Sequence, residues 1–415
     1  MAHRGIALPS LPAPSPVRGA SETRSSLPKI ARGAEGALEN NANNFAPPLT
    51  SPDAVESDAP TRLSRRYGLR RLLNDESTLP RLRACGRCRR SDRVGVVYSP
   101  ERGAGFSGLV TCGSVWSCPV CGAKILARRS LELGLGLVTW ENTGGRVVMG
   151  TLTMRHHAGH RLCQEWDALL AAWARTIGSK VWRKWLQRLG SPGLVRVVEV
   201  THGRNGWHVH LHFVLLVGGH VGAADVESFT GWLLPKWSRE VTRAGMPGAL
   251  AIGQDAHLVD GLTAAADLGA YFTKATAYGA AESMGRELFG ALTKSAGGQH
   301  STAPAWSLAE GFGETGDADQ LDRWHEYERA SKGRRQMAWS PGLRDLLGVG
   351  QELSDDEIAD ESAGDDALVY ITADGWDALV KRRFPTELIL AAVNDGGAEG
   401  LRSFLSAHGV EFVEV

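Results

Sequence analysis

No apolar run in the 415 residues approaches the ~20 needed to cross a bilayer, which excludes a helical membrane span. The N-terminus lacks the charged-then-apolar pattern of a secretory leader, and this predicts a cytoplasmic protein with no membrane partner. A phosphate-cradling glycine loop of the Walker type is missing too, so no nucleotide-driven step is expected. Cysteine is scarce, and five of the six residues lie between 85 and 121, a clustering that points to metal chemistry rather than a disulfide scaffold. The sixth, Cys163, reads as a buried helix residue.

Net charge is also lacking, since 46 basic residues balance 46 acidic ones. That balance hides two opposed segments. Between Arg62 and Arg129 the chain is dense in arginine, against only Asp75, Glu76, Asp92 and Glu101. Such a block is expected to contact phosphates. From Glu352 to Asp366 there is no Lys or Arg, and this stretch reads as a solvated acidic linker.

Residues 1–60, rich in Pro, Ser, Ala and Asn, bury too little surface to offset chain entropy and are expected to form a disordered tail. Residues 61–135 read as a basic, cysteine-bearing module entered by a short helix over 63–82, 140–348 as the main domain, 349–366 as the acidic linker and 367–415 as a small αβ appendage. Within the main domain, hydrophobic periodicity predicts strands at 146–154, 194–202, 207–216 and 249–259 and helices at 163–189 and 225–244, the last interrupted by Pro235. A β-α-β-β-α-β order of this kind predicts an α+β fold, an antiparallel ferredoxin-like sheet with helices on one face. There are no internal repeats.

The stretch Trp207-His-Val-His-Leu-His-Phe213 places His208, His210 and His212 on one face of a strand, because side chains alternate. The preceding turn, Gly203 to Gly206, makes a hairpin with the 194–202 strand. Glu199 then sits opposite His210 or His212, according to the length of the loop, and in either register it joins the histidine face. Imidazole suits softer ions than Mg²⁺ or Mn²⁺, and a carboxylate oxygen broadens the choice. Downstream, Asp267, Tyr271, Lys274 and Tyr278 have helical spacing and share one stripe. A histidine strand beside a tyrosine helix points to a metal-assisted tyrosine nucleophile. Trp207 is the best candidate for stacking on a base, whereas Trp166, Trp173, Trp182 and Trp185 read as core.

Cys85-x-x-Cys88 and Cys118-x-x-Cys121 form two knuckles suited to a tetrahedral structural Zn²⁺, with Cys112 a fifth candidate. The ligand set is open at this level; Cys85, Cys112, Cys118 and Cys121 is one alternative. The arginines around the knuckles point to a DNA grip.

The pairing of His-Val-His-Leu-His with Gly269-Ala-Tyr-Phe-Thr-Lys274 resembles the HUH endonucleases, and most of all the rolling-circle replication initiators of actinobacterial plasmids. The first motif of that family is similar to Val148-Met-Gly-Thr-Leu-Thr-Met154. Cys112 to Cys121 and Trp339-Ser-Pro-Gly-Leu343 also resemble that group, so the likeness covers roughly residues 84–348.

The resemblance implies site-specific DNA nicking and strand transfer, with His210 and His212 as ligands of a catalytic Mg²⁺ or Mn²⁺ and Tyr271 as the nucleophile that forms a 5′-phosphotyrosine. It leaves His208 as a third ligand or a phosphate contact. Asp267 stands where some relatives carry a water-activating Glu, or pairs with Lys274, which would otherwise neutralise phosphate. Tyr278 as a second nucleophile is an alternative. Origin duplex, a single-stranded nick site and a host helicase and polymerase are the partners implied. The rival functions are an HUH relaxase or transposase and a non-catalytic zinc-containing DNA-binding regulator.

Overall fold

The computed structural model describes residues 59–99, 103–259, 302–360 and 367–415. The expected tail before residue 59 and the segment bearing Asp267, Tyr271, Lys274 and Tyr278 lie outside them. The described chain is α+β, with ten strands in two antiparallel sheets: β1 (Arg93–Ser99), β2 (Gly103–Ser107), β3 (Arg146–Leu152), β4 (Gly193–Gly203), β5 (Gly206–Val217), β6 (Asp255–Val259), β7 (Thr302–Pro304), β8 (Met337–Trp339), β9 (Ala367–Thr372) and β10 (Phe412–Glu414).

The central sheet runs β6-β3-β5-β4-β7, with β8 also on β4. β5 lies in the middle because its run of β-branched and apolar residues is buried on both faces. One face of β5 carries Trp207, Val209, Leu211, Phe213, Leu215 and Val217 and packs under the helices Leu162–Ile177 and Ala223–Arg243. Trp173 stacks on Phe213 with ring centroids 6.1 Å apart, and Trp237 Nε1 donates to Thr153 O at 2.6 Å.

Three expectations about this region need adjustment. The helix expected over 163–189 is two, because Gly178 ends Leu162–Ile177 and the Ser179 hydroxyl accepts from Trp182 N to cap Lys180–Arg188. Helices cover both faces of the sheet rather than one. Val147, Met149, Val195, Val197, Val214 and Leu216 make the second face apolar at one end, and Leu133 and Leu137 of the helix Pro119–Asn142 cover it. Trp207 is 1% exposed and points away from the histidines, stacked on Tyr327, so it has no free face for a base.

The second sheet runs β10-β9-β1-β2. Residues 367–415 are therefore no separate appendage: Val94 and Phe412 flank Ile371, and Trp376 Nε1 donates to Arg87 O at 3.0 Å, within the cysteine turn.

The acidic stretch is not a solvated linker where it is described. Ile358 and Ala359 are buried, and its carboxylates meet the basic block, with Asp355 at 2.7 Å from Arg129, Asp356 at 2.5 Å from Arg81 and Asp360 at 2.7 Å from Arg90. Arg65, Arg71, Arg87 and Arg89 pair with Glu310, Glu387, Asp75 and Asp377. Much of the charge expected to face phosphate is thus neutralised within the protein.

Candidate metal centres

The β4–β5 hairpin closes with Gly203 opposite Gly206, leaving Arg204 and Asn205 as its loop. Gly206 has φ +86°, a left-handed conformation that glycine adopts without strain. This turn fixes the register that the sequence left open and puts Glu199 opposite His210. On the other side of β5, Thr151 of β3 faces His212.

These pairings bring three ligand atoms together. Glu199 Oε2 lies 2.9 Å from His210 Nε2 and 3.0 Å from His212 Nε2, and the three residues are 4–5% exposed. Thr151 Oγ1 lies 3.0 Å from His212 Nδ1 and so fixes the ring with Nε2 toward the carboxylate. Burial alone would raise Glu199, but His210 and His212 outweigh it and hold the carboxyl below the ordinary range. Burial pushes His212 down, toward the neutral imidazole that a cation needs. Glu199 Oε1 and His210 Nδ1 are buried without a hydrogen-bond partner among the described residues. An ionised carboxylate with a spare oxygen beside two convergent imidazoles fits a divalent ion with mixed nitrogen and oxygen donors.

His208 stands outside this group. Its ring stacks on His156 at 4.9 Å and lies 4.8 Å from the His210 ring; burial, with His210 and His156, pushes its pKa down to about 3. His156, in the loop that follows β3, is thereby part of the site wall; only the folding of that loop against the hairpin reveals it.

A second cluster gathers Cys85, Cys112, Cys118 and Cys121, all buried, and leaves Cys88 exposed. The helix Pro80–Ala84 and the turn after it aim Cys85 inward, while Cys118 and Cys121 sit at the start of the helix Pro119–Asn142. The sulfurs of Cys85 and Cys118, Cys85 and Cys121, and Cys112 and Cys121 are 3.7, 3.6 and 3.8 Å apart. These separations are too long for disulfides. They match the edge of a tetrahedron with metal–sulfur bonds of ~2.3 Å, which is ~3.8 Å. Hydrogen bonds from Cys112 and its other sulfur neighbours pull Cys85 well below a normal thiol, whereas burial pushes Cys118 well above one. Four buried sulfurs cannot all ionise without a cation among them.

A family model described as a replication protein matches residues 109–221, which hold Cys112, Cys118, Cys121, Glu199 and all three β5 histidines. A protein named "Protein rep" from Streptomyces lividans is 32% identical over 375 residues, 74% of this chain and 81% of that protein. A "Neomycin resistance protein" from Streptomyces cyanogenus is 34% identical over 192 residues, 38% of this chain and 44% of that one. No solved structure matches.

Proposed function

Because the chain belongs to the replication-protein family that includes the Streptomyces lividans Rep protein, we propose that it starts rolling-circle replication of a plasmid by cutting one strand of the origin. The observation that carries this reading is the convergence of Glu199 Oε2, His210 Nε2 and His212 Nε2 on one buried point. The strand order β6-β3-β5-β4, antiparallel throughout, supports it, because it is that of a split β-α-β, ferredoxin-like sheet such as HUH enzymes use.

Glu199, His210 and His212 would hold the divalent ion, Mg²⁺ or Mn²⁺. When bound, it supplies Lewis acidity toward a phosphate oxygen and orients the scissile group. The phenol oxygen of Tyr271 attacks phosphorus, the bond to the 3′ oxygen breaks, and that oxygen takes up a proton. A 5′-phosphotyrosine and a free 3′-hydroxyl result, the latter a primer for the host polymerase while a host helicase opens the duplex. Since a free phenol ionises near pH ~10, the attack needs a group that accepts its proton. Asp267 and Lys274 share its helical stripe in the sequence pattern; the lysine offsets phosphate charge, and the carboxylate activates water for the terminating hydrolysis. Cys85, Cys112, Cys118 and Cys121 would hold a structural Zn²⁺ that shapes the module gripping the origin DNA.

Incubating the purified protein with labelled origin oligonucleotides and Mn²⁺ tests the reading. The expected result is a covalent protein–DNA adduct that Tyr271→Phe abolishes and that Glu199→Ala lowers at least about 100-fold. Unchanged cleavage by Tyr271→Phe, or no adduct with any origin strand and metal, overturns it.

A further inference from the structure

Among the described residues, Arg70, on the helix Ala59–Glu76, is the one arginine of the basic block that is buried without a carboxylate partner. It is 5% exposed, and its Nε has no hydrogen-bond acceptor among the described residues. Its neighbours Arg71 and Arg87 and the nearby Arg81 and Arg90 each meet an Asp or Glu. Its guanidinium lies 4.5 Å over the Tyr67 ring and against Gly86, where any Cβ would collide with it. Together with Tyr67, Cys85 and Cys121 it lines a cavity of about 170 Å³.

A buried guanidinium whose Nε has no acceptor among the described residues is costly unless something nearby carries negative charge. Four thiolates around a divalent ion leave two formal negative charges in a desolvated place, which is equally costly alone. Each of the two groups supplies what the other lacks.

We propose that Arg70 is the counter-ion of the four-cysteine centre, a positioning residue whose charge offsets that of the metal-bound sulfurs across the cavity they share. This deepens the Zn²⁺ reading and rests on it. The arrangement also accounts for Gly86, whose φ of +64° follows directly on Cys85 and whose missing side chain admits the guanidinium.

The test uses the full-length protein in three forms: wild type, Arg70→Gln, which keeps a polar stem but loses the charge, and Arg70→Lys, which keeps the charge. Zinc content is measured, then zinc affinity by chelator competition and the sulfur-to-cobalt charge-transfer band after Co²⁺ exchange. Arg70→Gln is expected to bind zinc about 10–100-fold more weakly and to move the band to lower energy, with Arg70→Lys restoring most of both. Equal losses in the two variants, or no change in either, overturn the counter-ion role while leaving the centre itself standing. If Arg70→Gln does not fold in excess zinc, Arg70→Lys carries the test: affinity within about threefold of wild type is expected, and a collapse equal to that of Cys85→Ser overturns the proposal. Wild type without zinc refutes the centre, and with it the role of Arg70.

Discussion

At the scale of single residues, the chain places several ionisable groups where water cannot reach them, and each has a consequence that can be measured. Glu165 has both oxygens buried without a hydrogen bond among the described residues and lies 3.5 Å from His160 Nδ1. Burial, with Glu326 adding to it, pushes its pKa up to about 8. An unfolded glutamate ionises near pH ~4.3, so between these values the folded chain keeps a proton that the unfolded chain has lost. Stability from this group is full below that lower value and is lost as pH rises toward 8. Glu165→Gln should therefore raise the melting temperature progressively more at pH 8 than at pH 5; an equal shift at both values would show that Glu165 does not titrate in this window. The histidines were legible at this scale because alternation along a strand is strictly local. Trp207 was open to the same reasoning, since its odd position among even-numbered histidines turns it to the opposite face. The four-cysteine set was legible only as one of two open alternatives, since two Cys-x-x-Cys pairs look alike in sequence, and only the turn after Ala84 turns Cys88 outward and leaves room for Cys112.

Among elements, the hairpin carries most of the geometry. Its loop length was ambiguous from residue types alone, because Gly-Arg-Asn-Gly accommodates either a tight or a wider turn; the left-handed Gly206 settles it. A Cβ there would also lie 2.8 Å from Ala158 Cα, in the loop that brings His156 against His208. Gly206→Ala is expected to cost about 1–3 kcal/mol in denaturant unfolding and to weaken Mn²⁺ binding measured by calorimetry, since the His210–Glu199 register depends on this turn. Unaltered values in both would show that the loop relaxes at no cost. The β-α-β-β-α-β order was readable from periodicity, whereas the covering of the second face by Pro119–Asn142 was not, because an amphipathic helix does not declare which surface it will meet.

For the whole molecule, the features least visible in sequence are those joined across the longest stretches of chain. The arginines and acids each announced themselves, but their pairing did not, as with Arg90 and Asp360 or Arg89 and Asp377. The same holds for β9, whose alternating pattern marks a strand without saying that β1 is its neighbour. Ile371 is fully buried between Val94 and Phe412, so Ile371→Ala should cost about 2–5 kcal/mol in denaturant unfolding. Because Trp376 of the same segment holds the Arg87 carbonyl, the variant should also release the proposed Zn²⁺ to a chelator faster. A stability loss below about 0.5 kcal/mol would mean that β9 is not needed to complete the core.

The pairing of β1 with β9 also imposes a schedule on synthesis. During translation β1 and β2 emerge long before Thr372, the partner of Arg93, and at roughly 10 residues per second the delay is on the order of 30 s. Throughout that interval the nascent hairpin presents a bare edge to every other chain in its neighbourhood, while the intervening sheet is free to fold. Ribosome pausing, early termination or a shortage of holding chaperones in that window would therefore strike the cysteine module first.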